Sequence, residues 1–266
     1  MHSHLQHYID GRWVDSEGGK RHQVIDPASE QPVTEITLGT KADVDKAVAA
    51  AKKAFKTFSR TSVADRIALL ERIIEEYKAR IPDLAKATSE EMGAPVGFAQ
   101  AAQAPAGLGY FMGTLAALKE FKFEEQVGKN KVVHEPLGVV AMITPWNWPL
   151  NQICAKVAPA LAAGNSVVLK PASLTPLTAL LLGQLAQEAG LPDGVLQVLP
   201  GSGSEAGNAL ATHPLVRKIG FTGSTEVGSK IMKLAADDIK RVSLELGGKS
   251  PNIVFADADW QRAAAE

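Results

Sequence analysis

The spacing of apolar residues changes along the chain and predicts two kinds of local structure. From about Tyr8 to Thr37, short apolar runs are interrupted by Gly, Asp and Pro, which is typical of small strands joined by turns. The Ala- and Gly-rich residues 95–118 are predicted to be helical. Between these regions lie two stretches with helical spacing, marked by Val44, Val48, Ala51, Phe55 and Phe58, and then by Val63, Ile67, Leu70, Ile74, Tyr77 and Ile81.

A charged segment separates these helices from the rest of the chain. Residues 121–136, FKFEEQVGKNKVVHEP, alternate charged and apolar side chains around a Gly-Lys-Asn turn. This pattern predicts a β-hairpin arm that has little core of its own.

From Gly138 onwards, short apolar strands alternate with helices. One of these helices is expected to be capped by Thr175, with Pro176 in its first turn. The alternation predicts an α/β fold in which a parallel sheet has right-handed crossovers and binds ligands where its strands end. The predicted strands are GVVAMI (138–143), SVVLK (166–170), VLQVL (195–199), VRKIGF (216–221), VSLEL (242–246) and NIVF (252–255).

Glycine-rich loops at these strand ends are similar to phosphate-binding motifs. Residues 201–206, GSGSEA, fit the dinucleotide fingerprint G-x-G-x-x-A and include Gly203, although Pro200 stands where the tight turn should begin. In GSTEVGSK, a near match to a Walker loop, the Lys falls one position late. The simpler interpretation is that Gly223 and Ser224 begin a helix whose free N–H groups face an anion. The alternative is an ordinary capped helix.

Two further motifs carry candidate catalytic groups. In ITPWNWPLNQ (143–152), two prolines fix a turn that would hold the Asn147 amide rigidly. Such an amide can stabilise an oxyanion, and the alternative is a stiff turn with aromatic packing. Glu245 lies between Leu244 and Leu246 in an apolar run. A buried carboxylate in that position is costly unless it has a partner or a chemical role.

Composition and charge argue against several other classes of protein. The chain has 266 residues and a net charge of −1, with 45% hydrophobic and 21% charged residues, so neither nucleic acid nor an anionic membrane is an expected partner. It has no apolar run of about 18 residues and no signal-peptide core near its start, so no membrane span is predicted. A single cysteine, Cys154, and the lack of metal-binding spacings favour a reducing, cytoplasmic location and no metal site.

The chain contains, in order, the motifs IDGRW, DPAS, TPWNWPL, LKPA, FTGSTEVG and LELGGKSPNIVF. With these motifs it resembles the NAD(P)-dependent aldehyde dehydrogenase superfamily over its whole length. The resemblance implies a Rossmann-like dinucleotide-binding domain formed by residues 1–118 and 138–266. It implies that residues 119–137 are the hairpin arm of an oligomerisation domain. It also implies NAD or NADP as cofactor, an aldehyde as substrate, and a homo-oligomer, either a dimer or a tetramer.

The resemblance also implies roles for individual residues. Asn147 would be the oxyanion donor, and Glu245 would be the general base that activates a nucleophilic cysteine or the deacylating water. Lys156 is a further candidate near the nicotinamide. The predicted cofactor-binding residues are Ile143, Trp146, Lys170, Ser173, Gly203, Gly223 and Ser224.

The nucleophile itself is missing from the motifs. In this family a cysteine thiolate attacks the aldehyde, and that cysteine lies beyond the Glu-Leu-Gly-Gly motif, whereas this sequence ends at Glu266. Cys154 is a poor substitute, because it is predicted to be a small buried residue on an apolar helix. We therefore expect the cofactor-binding half of the enzyme, without a catalytic domain, inactive alone and with an exposed apolar patch. The alternative is a natural half-length dinucleotide-binding protein, acting as a sensor or a partner subunit.

One departure from the family's pattern concerns the choice of cofactor. Ser173 stands where many NAD-preferring members carry a Glu, three residues after the strand-end Lys. The serine lacks a charge that would repel a 2′-phosphate, so the sequence predicts that NADP is tolerated. The alternative is that the preference is set elsewhere.

Overall fold

Eleven strands and ten α-helices are formed by residues 4–265, the part of the chain that the computed structural model describes. The strands are β1 (Gln6–Ile9), β2 (Arg12–Asp15), β3 (Lys20–Asp26), β4 (Gln31–Leu38), β5 (Glu124–Val127), β6 (Asn130–Val133), β7 (Val139–Ile143), β8 (Ser166–Lys170), β9 (Leu196–Val198), β10 (Val216–Thr222) and β11 (Arg241–Glu245). The helices are α1 (Lys41–Phe58), α2 (Val63–Ala79), α3 (Ile81–Met92), α4 (Val96–Phe98), α5 (Ala104–Glu120), α6 (Pro149–Ala162), α7 (Leu177–Glu188), α8 (Asn208–Thr212), α9 (Thr225–Ala236) and α10 (Trp260–Ala265). Short π-helical turns precede α5, at Ala99–Gln103, and α8, at Gly203–Gly207.

A seven-stranded sheet in the order β11-β10-β7-β8-β9-β1-β2 forms the centre of the fold. Its first five strands are parallel, which confirms the predicted α/β architecture. β1 and β2 add an antiparallel edge that was not predicted. They are joined by Asp10 and Gly11, both of which have positive φ, as a tight two-residue hairpin requires.

Helices cover both faces of the sheet and create two hydrophobic cores. α6 and α7 lie on one face, where α2 and α5 pack over them. α1, α8 and α9 lie on the other face and bury the opposite side of β7 and β10. Buried on both faces, β7 and β8 are apolar throughout apart from Ser166 and Lys170 at the two ends of β8. Lys170 is therefore a polar group at the carboxyl end of a buried strand.

The structure corrects three predictions about local elements. The periodic stretch that ends at Ile81 is divided between two helices, because α2 ends before Arg80 and Ile81 begins α3, where Pro82 occupies the first turn. No strand forms at NIVF, where Ile253, Val254 and Phe255 are all exposed. A strand needs a neighbouring strand for its backbone hydrogen bonds, and none of the described strands pairs with this segment.

The third correction concerns the start of α7. Thr175 does not cap this helix. The carboxylate of Glu91, at the end of α3, instead accepts the backbone N–H groups of Leu177 at 2.5 Å and Thr178 at 3.1 Å. A cap that comes from a distant helix leaves no signal in the local sequence, so a neighbouring threonine was the only visible candidate.

The predicted hairpin arm is present as β5 and β6, an antiparallel pair whose residues are all exposed. Its role in assembly stays a prediction. No helix within residues 4–265 is long and apolar enough to cross a membrane. Near the end of the described chain, Asp259 caps α10 by accepting the N–H of Arg262 at 3.1 Å.

Candidate active site

The carboxyl ends of the five parallel strands lie side by side and bring most of the predicted site residues to one edge of the sheet. Ile143, at the end of β7, is in register with Lys170 of β8 and with Phe221 of β10. Thr222 at the end of β10 is likewise paired with Glu245 of β11. The loops that follow these strands therefore start from adjacent points, which is where parallel sheets bind ligands.

A cleft of about 890 Å³ opens beside this edge, between α6 and the exposed side of β10 and β11. Asn147, Lys156 and Glu245 all line it, although they come from three separate motifs. The structure corrects the expectation that Glu245 is buried: its side chain is exposed in the cleft, because no helix covers this side of β11 among the described residues. The Glu245 carboxylate therefore avoids the free-energy cost of burial. It lies between two leucines because successive side chains of a strand point to opposite faces of the sheet.

Lys156 connects α6 to the end of β10. Its ammonium donates to Thr222 Oγ1 at 2.7 Å and lies 3.4 Å from the backbone oxygen of Gln152, one turn earlier in the helix. Burial lowers the pKa of Lys156, and the nearby Glu245 carboxylate opposes that shift. Lys156 and Glu245 are therefore electrostatic neighbours across the cleft. The role of Gln152 was not predicted, although its spacing of four residues from Lys156 is the available signal.

A second group of site residues surrounds the end of β8. Lys170 is 4% exposed and donates hydrogen bonds to the backbone oxygens of Pro171 at 2.8 Å and Gly201 at 2.9 Å. A lysine ammonium has three donors, so one remains for a ligand. Burial lowers the pKa of Lys170 to about 8. Ser173 is half-buried in the loop that follows, and Gly203 is exposed at the start of the π turn before α8.

The glycines of the fingerprint-like loop have a structural explanation. A Cβ on Gly201 would lie 2.6 Å from the Cβ of Ala206, so the turn itself excludes a side chain there. A Cβ on Gly203 would meet nothing within 4 Å. Internal packing therefore explains the first glycine of the G-x-G-x-x-A pattern, Gly201. No steric contact requires a glycine at its second position, Gly203.

The start of α9 has the geometry of an anion-binding helix N-terminus. Ser224 caps the helix by accepting the N–H of Val227 at 3.3 Å. A Cβ on Gly223 would lie 2.4 Å from the ring of Phe221, and the Gly223 N–H bonds the backbone oxygen of Glu245 at 3.0 Å. The loop is therefore bonded to β11 and packs closely against the ring of Phe221 in β10. The first N–H groups of a helix have no partner within that helix and favour negative charge.

The turn that carries Asn147 combines an exposed surface with a constrained backbone. Trp146 is 55% exposed, and Asn147 is exposed beside it. Trp148 has a φ of 49°, which is in the left-handed region, and its ring contacts Phe98 edge-on at 5.5 Å. Thr144 Oγ1, at the start of the turn, is buried and makes no hydrogen bond among the described residues. The contact with Phe98 was not predicted, because nothing in the local sequence links the two rings.

Cys154 lies away from these groups, in the core between α5 and α6. It is completely buried, and burial raises the pKa of its thiol. The Tyr77 hydroxyl, which donates to the backbone oxygen of Ala104 at 2.9 Å, lies next to it. The structure thus confirms the predicted small buried residue. No group of three or more metal-ligating side chains occurs within residues 4–265.

Comparison with known proteins decides the family. A sequence model described as "Aldehyde dehydrogenase family" matches residues 13–266. The chain belongs to the aldehyde dehydrogenase family. This confirms the resemblance inferred from the TPWNWPL, FTGSTEVG and LELGGKS motifs.

Individual relatives of this chain agree with it in sequence and in fold. A 3-succinoylsemialdehyde-pyridine dehydrogenase from Pseudomonas sp is 49% identical over 99% of the chain and 55% of the relative. An aldehyde dehydrogenase from Pseudomonas syringae, solved with NAD+ and octanal, is 46% identical with a TM-score of 0.96, covering 98% of this chain and 54% of that one. A betaine aldehyde dehydrogenase from Staphylococcus aureus, solved with NAD+, is 35% identical with a TM-score of 0.95, covering 99% and 54%. The chain therefore spans about half the length of these relatives.

The burial of Cys154 leads to a first testable outcome. We expect a thiol reagent such as DTNB to leave the folded protein unmodified and to react once the protein is unfolded in denaturant, because a buried thiol is neither accessible nor ionised. The Cys154→Ala variant provides the blank under both conditions, since the sequence has one cysteine. Rapid modification of the folded protein would show that the thiol is accessible after all.

Proposed function

We propose that this chain is the dinucleotide-binding part of an NAD(P)-dependent aldehyde dehydrogenase that oxidises an aldehyde to a carboxylic acid. The observation that carries the proposal is that Asn147, Lys156 and Glu245 line one cleft at the carboxyl ends of β7, β10 and β11. In carbonyl oxidation an amide donor can stabilise the developing oxyanion and a carboxylate can act as general base, and this cleft holds both together with an ammonium group.

The residues at this edge fit a dinucleotide. Lys170 has an unused donor and suits the adenosine ribose, with Ser173 and Gly203 in the neighbouring loops. Ser224 and the N-terminus of α9, together with the exposed Trp146, suit the pyrophosphate, and Ile143 and Gly223 suit the channel between these groups. The nicotinamide accepts a hydride when the cofactor is bound. Two relatives of similar fold were solved with NAD+, which supports the assignment.

Two residues have proposed catalytic roles at the open end of the cleft. The Asn147 side-chain amide would donate a hydrogen bond to the oxygen of the aldehyde as negative charge develops on it. Glu245, exposed in the cleft, would accept a proton from the nucleophile or from water. Lys156 is proposed to hold the end of β10 through Thr222 and to lie near the nicotinamide.

The chain by itself is proposed to bind dinucleotide without turning over. Its only thiol, Cys154, is buried and does not line the cleft, which supports a nucleophile supplied from outside these 266 residues. We further propose that the exposed β5–β6 hairpin contributes to a homodimer or homotetramer in the cytoplasm.

Binding without catalysis is the direct test. We expect NAD+ to quench tryptophan fluorescence, because Trp146 is exposed at the proposed pyrophosphate site, and we expect no reduced cofactor to form with a panel of aldehydes. The Cys154→Ala variant should bind NAD+ equally well. Aldehyde oxidation by the pure chain that is abolished in Cys154→Ala would refute the proposed division of roles.

Dinucleotide affinity should depend on the charge of Lys170. Since burial lowers the pKa of Lys170 to about 8, the side chain is an ammonium below that pH and a neutral amine above it. We therefore expect the affinity for NAD+, measured by titration calorimetry, to fall as the pH is raised through about 8. Lys170→Met should bind weakly and lose this dependence, whereas Lys233→Met, on the exposed side of α9, should keep it. An unchanged pH profile in Lys170→Met would contradict the assignment.

Ser173 should govern discrimination against NADP. Introducing a carboxylate near the adenosine ribose places it against the 2′-phosphate, so Ser173→Glu is expected to weaken NADP binding by about tenfold relative to NAD. Ser173→Gln has nearly the same size without the charge and should leave the ratio of the two dissociation constants near that of the unmodified chain. Equal effects of the two variants would mean that the preference is set elsewhere.

A further inference from the structure

The carboxylate of Glu91 is buried against the start of a helix to which it has no link in sequence. It is 3% exposed, and it accepts three hydrogen bonds: from the N–H of Leu177 at 2.5 Å, from the N–H of Thr178 at 3.1 Å, and from the hydroxyl of Thr178 at 2.6 Å. Burial raises the pKa of Glu91 to about 7, and these hydrogen bonds act in the opposite direction. A buried carboxylate is costly, so this arrangement calls for a reason beyond filling the core.

The helix that Glu91 caps, α7, begins where the loop that follows β8 ends. That loop, residues 171–176, begins at Lys170, whose buried ammonium bonds the backbone oxygen of Pro171. It ends at Leu177, whose N–H is bonded by Glu91. Two buried groups of opposite charge thus fix the two ends of one short connection.

Between these anchors the middle of the loop reaches the surface. Ser173 is half-buried and Leu174 is 58% exposed, while the N–H of Thr175 closes a turn onto the oxygen of Ala172 at 3.3 Å. Pro171 at the start of the loop and Thr175 and Pro176 at its end are buried, so the position of the exposed middle follows the two ends. Movement of the start of α7 would displace Ser173 relative to Lys170.

We propose that Glu91 is a positioning residue for dinucleotide binding, fixing the start of α7 so that the 171–176 loop holds Ser173 against the adenosine ribose. The inference rests on the proposed function, since it concerns the same cofactor site. Glu91 does not touch the cofactor and acts through Leu177 and Thr178. Its effect should therefore be confined to the adenosine half of the ligand.

Glu91→Gln is the informative substitution. A glutamine is nearly isosteric, but its amide offers one acceptor oxygen and turns a donor toward the other N–H group of α7. The matched control is Glu90→Gln, the same change on the adjacent, more exposed residue of α3, whose carboxylate lies 3.7 Å from the ammonium of Lys86. Thr178→Val removes the hydroxyl donor while keeping both N–H groups, and serves as a second variant if Glu91→Gln does not fold.

The experiment compares the affinities of the chain for NAD+ and for ADP-ribose, which lacks the nicotinamide, at a temperature where every variant is folded. We expect Glu91→Gln to weaken both ligands equally, on the order of tenfold, as the loss of about one hydrogen bond to a charged group would do. Glu90→Gln should leave both affinities unchanged. Thr178→Val should cause a smaller loss that is again equal for the two ligands.

Each other result would overturn the proposal. If Glu91→Gln lowers the melting temperature while both affinities stay within about twofold, Glu91 only caps a helix. If the loss is larger for NAD+ than for ADP-ribose, Glu91 acts on the nicotinamide end rather than on the ribose loop. If the unmodified chain binds neither ligand, the proposed function itself fails, and that outcome is distinct because it does not depend on any variant.

Discussion

The parallel hydrogen-bond ladder from β7 to β11 determines where chemistry is possible in this chain. In a parallel sheet every strand runs in the same direction, so the loops that follow the strands gather at one edge. Here that edge brings together the turn with Asn147, the ammonium of Lys170, the cap at Ser224 and the carboxylate of Glu245. None of these residues is near another in sequence, and the ladder brings them together.

The same constraint explains why the placement of many residues of the candidate site could be predicted. Short apolar runs followed by helix signals locate strand ends, and Lys170, Thr222 and Glu245 each occupy the final position of a strand. Once the strands are identified as parallel, the residues at their ends become neighbours without further information. Asn147 was predictable for a related reason, because prolines on both sides of it fix a turn directly after β7.

The predictions failed where structure depends on contacts between distant segments. The cap of α7 comes from Glu91, and no local pattern distinguishes it from Thr175. The exposure of Glu245 depends on which helices cover β11, which the alternation of the strand does not reveal. NIVF has the composition of a strand, but pairing requires a neighbour that the described chain does not provide. Local propensity therefore identified the elements better than it identified their surroundings.

The conformation of Trp148 gives the Asn147 turn an unusual mechanical property. A bulky residue with φ of 49° stores strain of roughly 1–3 kcal/mol, which persists only while surrounding contacts oppose its release. The ring contact with Phe98 is one such contact, and it joins the turn to the short helix α4, which lies far earlier in the chain. Packing of that distant segment therefore helps to hold the backbone immediately after Asn147 in a conformation that it would otherwise leave.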